Sequence, residues 1–172
     1  MKQLSGYNIN FASLKQGIHL YEYKIDNTFF QLFECNEFTS ADFKVKLTFE
    51  KQSTMLLLDF KIKGYIEVPC DRCLDEVKLK IKGEENLIVK FGDEDYDDTD
   101  DLVVISENEH QINIAKYIYE YIQINVPQKR AHKKKECNQE VIEKLKKVEV
   151  KDNKIQNIDP RWSKLTQLKT EN

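Results

Sequence analysis

Apolar and polar residues alternate most clearly over residues 43–50, FKVKLTFE. Phe43, Val45, Leu47 and Phe49 fall on one side and Lys44, Lys46 and Thr48 on the other. A period of two is the signature of a strand with one buried face. The same pattern predicts strands over 76–82 (Val77, Leu79 and Ile81 inward), 86–91 and 102–105, and a longer one over 54–68 that bends near Gly64. Residues 7–14 and 18–25 read as two further, weaker strands. The connections are short, so these strands should form a meander of antiparallel neighbours.

The period changes in three places. In 27–34, Phe29, Phe30 and Phe33 share one helical face, and Asn27 is placed to cap it. Over 113–127, Ile114, Tyr117, Ile118, Tyr121 and Ile122 form a helical stripe between Asn113 and Pro127. In 138–150, Val141, Ile142 and Leu145 form a third stripe. Asp159-Pro160 then opens a last short helix that carries Trp162, Leu165 and Leu168. The fold class is therefore α+β: an antiparallel sheet, open or curled toward a barrel, one packing helix, and a short helical C-terminal extension. Residues 1–127 form the sheet domain and 128–172 the basic loop and extension.

Composition narrows the function. The chain has 172 residues, 33% of them charged, with a net charge of −3. Global charge does not select a nucleic-acid partner; local charge carries more information. No segment reaches the roughly 18 apolar residues of a membrane span. The N-terminal stretch lacks a secretory apolar core, so a cytoplasmic protein with reduced cysteines is expected. No phosphate-binding glycine loop and no His-Glu-x-x-His is present, and no small-molecule substrate is expected. Residues 93–101 hold seven carboxylates in nine positions, which reads first as a solvated loop.

The candidate chemistry lies in VPCDRCLDEV, residues 68–77. A redox Cys-x-x-Cys sits at a helix N-terminus, whereas this pair sits between two strands. A structural zinc turn fits better: Cys70 and Cys73 supply two ligands, and His132 with Cys137 are the candidates for the other two, a Cys3His set. One such pair does not close a tetrahedral site, so a reduced, metal-free turn is the favoured reading and zinc the alternative. A closed four-ligand site would be structural, with no position left for catalytic water. Cys35 reads as a small core residue.

An alternating strand running into VPCDRCL, an amphipathic helix ending INVP, a basic loop with a cysteine, and a terminal DPRWSKLTQL together resemble the YceD family of large ribosomal RNA subunit accumulation proteins. The resemblance covers roughly the second two-thirds of the chain, and CDRCL and DPRW are its specific parts. It implies a non-enzymatic cytosolic factor for synthesis or processing of that RNA. The partner would be ribosomal RNA or a ribosomal or RNA-processing protein. Members often carry a second cysteine pair after the proline-terminated helix; here only Cys137, with His132 nearby, stands in its place.

The basic segment 129–135 supplies Lys129, Arg130, Lys133, Lys134 and Lys135, enough to neutralise several phosphates. Arg72, at the tip of the cysteine turn, is a further candidate RNA contact. Arg161 and Trp162 read more simply as helix capping and packing than as an RNA-stacking surface. Two other classes remain open: a protein-interaction module without RNA contact, and, ranked last, a metal-dependent hydrolase built on aspartates such as Asp97 and Asp98.

Overall fold

The computed structural model describes residues 2–92, 102–133, 136–148 and Arg161. The acidic stretch 93–101, Lys134, Lys135 and the terminal DPRW signal apart from Arg161 lie outside the described residues. Contacts divide the chain into two units, Met1–Cys137 and Asn138–Asn172.

The first unit is built on four long strands. They are β2 (Gly17–Asp26), β3 (Ser40–Lys51), β4 (Met55–Pro69) and β5 (Glu76–Phe91), paired antiparallel in that order. β1 (Asn8–Ile9) pairs separately with β7 (Ile112–Asn113). The alternating apolar positions point to one face: Phe43, Val45, Leu47 and Phe49 of β3 and Leu56, Leu58, Phe60 and Ile62 of β4 are all buried. The α+β architecture expected from the pattern is therefore observed. The sheet is open, with β2 at one edge and β6 (Leu102–Ile105) at the other. β6 runs parallel to β5, so the meander of purely antiparallel neighbours stops at β5.

Helices α1 (Asn27–Gln31) and α2 (Ala115–Ile124) cover the apolar face. The Phe60 ring packs edge-on against Tyr121, Phe30 lies against Phe43, and Phe33 stacks flat on Tyr119 with centroids 4.5 Å apart. The N-cap of α2 is Ile114, one residue later than expected; Asn113 precedes it, and its Oδ1 accepts from the Ala115 N–H at 3.0 Å. The cap of α1 differs from expectation. Asp26, not Asn27, accepts from the Thr28 N–H at 2.9 Å, because Asp26 is the extended residue that precedes the first turn. Its carboxyl is held below the usual range, first by the Thr28 hydroxyl. Asp26→Ala should cost about 1 kcal/mol, read as a lowered denaturation midpoint, and the wild-type advantage should fade as pH falls through the depressed carboxyl pKa.

Two other segments depart from the pattern. Of 7–14, only Asn8–Ile9 is strand; Phe11–Ser13 is a 3-10 turn, and the carbonyls of Phe11 and Leu14 accept from the Lys51 ammonium. Residues 76–82 and 86–91 are one unbroken strand. Gly64 lies in continuous pairing opposite Phe43, and a Cβ there would strike the Asp42 carbonyl and the Phe43 Cα. Close approach of β3 therefore accounts for this glycine. Cys35 is half-buried at the edge of the core, and its sulfur accepts from the Gln123 amide at 3.3 Å.

In the second unit, α3 (Gln139–Val148) forms as expected, but Leu145 and Val148 are exposed and Val141 and Ile142 only half-buried. No described helix is long and apolar enough to cross a membrane.

Candidate metal centre

Pro69 ends β4 and Glu76 starts β5, so the CDRC stretch has six residues in which to reverse the chain. The Cys70 N–H donates to the Asp75 carbonyl at 2.9 Å, and the Leu74 N–H to the Cys70 carbonyl at 3.0 Å. Leu74 adopts a left-handed φ of 64°, a conformation that costs a branched residue roughly 1–2 kcal/mol. This turn brings Cys70 and Cys73 to one side, both buried.

The basic segment lies along that turn. The Asp71 N–H donates to the Arg130 carbonyl at 2.7 Å, and the Arg130 N–H returns a bond to Asp71 Oδ2 at 2.6 Å. The Arg72 guanidinium donates to the His132 carbonyl, and the Arg130 guanidinium pairs with Glu37 at 3.1 Å. These bonds carry His132 and Cys137 onto the cysteine turn from about sixty residues away.

The four expected ligands therefore meet. The donor atoms of Cys70, Cys73, His132 and Cys137 all lie within 4.8 Å of one another. Cys70 Sγ and Cys137 Sγ are 4.0 Å apart; Cys73 Sγ and His132 Nδ1 are 3.4 Å apart. Tetrahedral zinc, with Zn–S near 2.3 Å and Zn–N near 2.0–2.1 Å, sets S···S at about 3.8 Å and S···N at about 3.5 Å. The cluster fits a four-coordinate ion with little movement. The objection that one Cys-x2-Cys cannot close a site is met by the tertiary fold, which supplies the second pair.

The outer groups are also in place. His132 Nε2 lies 3.0 Å from the Glu76 carbonyl, so its N–H donates there and Nδ1 is left free to ligate. Burial opposes a Cys70 thiolate, but N–H groups of Cys73, Arg72 and His132 and the His132 ring outweigh it and bring the thiol down to about 6. Burial, then the neighbouring Cys73 and Cys70 sulfurs, push Cys137 up to about 11. His132 is raised, chiefly by its bond to Cys70.

Of the candidate RNA contacts, Lys129 and Lys133 are exposed, whereas Arg130 and Arg72 are half-buried and bonded within the turn. Asp71, Glu37 and the Glu76 carbonyl carry no sequence signal of their own, since their roles exist only once the two segments meet.

No match to the chain is found among curated proteins or among solved structures. A family model described as large ribosomal RNA subunit accumulation protein YceD matches residues 58–169, which takes in the cysteine turn, α2, the basic segment and α3. With about two-thirds of its length inside that match, the chain belongs to the YceD family.

Proposed function

We propose that this protein is a non-enzymatic cytoplasmic factor for accumulation of large-subunit ribosomal RNA, and that a structural zinc ion at Cys70, Cys73, His132 and Cys137 holds its basic segment in shape. The observation that carries the reading is the zipping of 129–133 onto the cysteine turn inside a chain of the YceD family. Zinc would tie the turn between β4 and β5 to a loop that otherwise shares only a few hydrogen bonds with it. With all four positions taken by protein there is no open site for water, so the ion's part is structural.

Folding of the segment gives its cations different parts. Arg130 and Arg72 are engaged by Glu37 and the His132 carbonyl, and they act by shaping the loop against RNA. Lys129 and Lys133 project into solvent and, with Lys134 and Lys135, supply the phosphate contacts. Lysine contacts of this kind give salt-dependent binding with little sequence preference.

Ultraviolet crosslinking of the tagged chain in its host tests the reading. Large-subunit RNA or its precursor should be enriched, and Lys129/Lys133/Lys134/Lys135→Glu should lower the yield by about tenfold or more. Background recovery from the wild-type chain would mean that it acts through another protein. Unchanged large-subunit RNA after depletion of the chain would remove the functional assignment itself.

A further inference from the structure

The face of the sheet opposite α1 and α2 carries an arrangement invisible in the one-dimensional pattern. In the register of the four long strands, Lys24 of β2 lies opposite Lys44 of β3, Lys44 opposite Lys63 of β4, and Lys63 opposite Lys82 of β5. Four lysines therefore form one straight row across four neighbouring strands, and all four are exposed. At about 4.8 Å per strand the row is about 14 Å long.

Like charges placed directly opposite each other destabilise a sheet, and this row does so three times in succession. The adjacent rows relieve it only partly. On one side run Glu22, Lys46, Lys61 and Glu84, with acids only at the two ends. Glu22 holds Lys44 at 2.8 Å and Lys46 at 3.3 Å, and Glu84 reaches Lys82 at 4.0 Å. The central pair, Lys61 and Lys63, has no carboxylate within ion-pairing distance among the described residues. On the other side run Asp26, Asp42, Tyr65 and Lys80. The Asp26 carboxylate is taken up by the cap of α1, and the Lys78 ammonium lies 3.3 Å over the Tyr65 ring. The three rows hold seven lysines against four carboxylates, in a chain whose net charge is −3.

We propose that this outer face is a docking platform for an RNA backbone, with Lys24, Lys44, Lys63 and Lys82 as its central phosphate contacts. The inference deepens the reading of the chain as a large-subunit RNA factor and rests on it. The partner follows from charge complementarity. A line of ammonium groups on flexible stems, paired with carboxylates only at Lys44 and Lys82 and costly to the isolated fold, suits a ligand that presents regularly spaced negative charge. Ammonium groups recognise phosphate as point charges without base readout, so the platform sets affinity and not sequence choice. It is separate from the 129–135 segment, and the two can be disabled independently.

The test uses the purified full chain with its metal centre loaded, a labelled transcript of large-subunit ribosomal RNA as probe, and the Lys24/Lys44/Lys63/Lys82→Gln variant. Loss of four phosphate contacts should make the slope of log affinity against log salt shallower by about 3 and weaken binding by about 100-fold or more near 0.1 M salt. The thermal midpoint of the variant should be unchanged or higher, because the opposed charges are gone. Binding by the variant within about threefold of wild type would overturn the proposal, as would a wild-type chain that does not bind the transcript. Polyglutamate competing as well as RNA at equal charge would reassign the face to an acidic protein. In the host, depletion that lowers large-subunit RNA, followed by full rescue with the variant, would sink the platform while leaving the functional reading intact. Depletion without any RNA change would remove that reading instead.

Discussion

Cys73→Ser should abolish stoichiometric zinc in the purified chain and release the basic segment. His132 meets Cys73 Sγ at 3.4 Å and Cys137 meets Cys70 Sγ at 4.0 Å, so removing one thiolate leaves three donors around a site of four. The loss of affinity should exceed the about 10–100-fold typical of changes to the groups behind the ligands. With free zinc at about a thousand times Kd, the bound ion contributes about 4 kcal/mol to stability. Chelation of the wild-type chain should then lower its thermal midpoint by about 8–16 °C, and the serine variant should melt at the lower temperature with or without zinc. Metal content by atomic emission and trypsin cleavage at Lys129 and Lys133 are the two readouts. A serine variant with full zinc occupancy and a protected segment would overturn the assignment of the centre.

Protons compete for the same site. The metal requires the thiolate of Cys137, which without metal holds its proton up to about 11, so loading at neutral pH should release protons into a weak buffer. In the metal-free chain the Cys70 thiolate contributes stability that is full above the ordinary thiol value near 9 and is lost as pH falls through about 6. The raised His132 contributes in the opposite sense: fully below its ordinary value of 6.5, and lost as pH rises through its folded pKa. Metal affinity should therefore weaken as pH falls, because protons compete with the ion for the thiolates and the imidazole.

The second large effect is in the core. Phe60→Ala should destabilise the first unit by about 3–5 kcal/mol and lower its midpoint by about 6–20 °C. Phe60 has no exposed surface and its ring lies 5.2 Å from that of Tyr121, one of the contacts between α2 and the sheet. The cavity would open between the two layers, where neither can collapse without giving up its own pairing. Phe60→Leu, which keeps most of the volume, should recover more than half of the loss. Calorimetric melts of the three chains would decide it, and an alanine variant melting within about 2 °C of wild type would mean that α2 is held by other contacts.

Much of this was legible along the chain. The inward positions of β3 and β4, the apolar stripe of α2, and the ligand types at 70, 73, 132 and 137 are local properties. A buried sheet face demands period two, a buried helix face demands 3.6, and zinc demands thiolate and imidazole. The α1 cap was misplaced by one residue, since neighbouring Asp26 and Asn27 both have capping side chains and only backbone geometry separates them.

β5 shows why other parts were not legible. Its apolar pattern is interrupted at Gly83-Glu84-Glu85, yet the phase of alternation is kept. Gly83 has no side chain because the Asn125 amide at the end of α2 occupies that space, and Glu85 accepts from the same amide at 2.7 Å. What looked like a turn is the imprint of a helix forty residues away. The parallel β6, the meeting of two cysteine-bearing segments and the lysine row have the same origin. Each depends on which strand lies beside which and in what register, and register is set by burial and pairing over the whole sheet. The chain by itself therefore determined which residues are buried and which chemistry is available. Tertiary structure alone decided which of those residues meet, because distant segments are placed by the shared core they cover and not by any signal of their own.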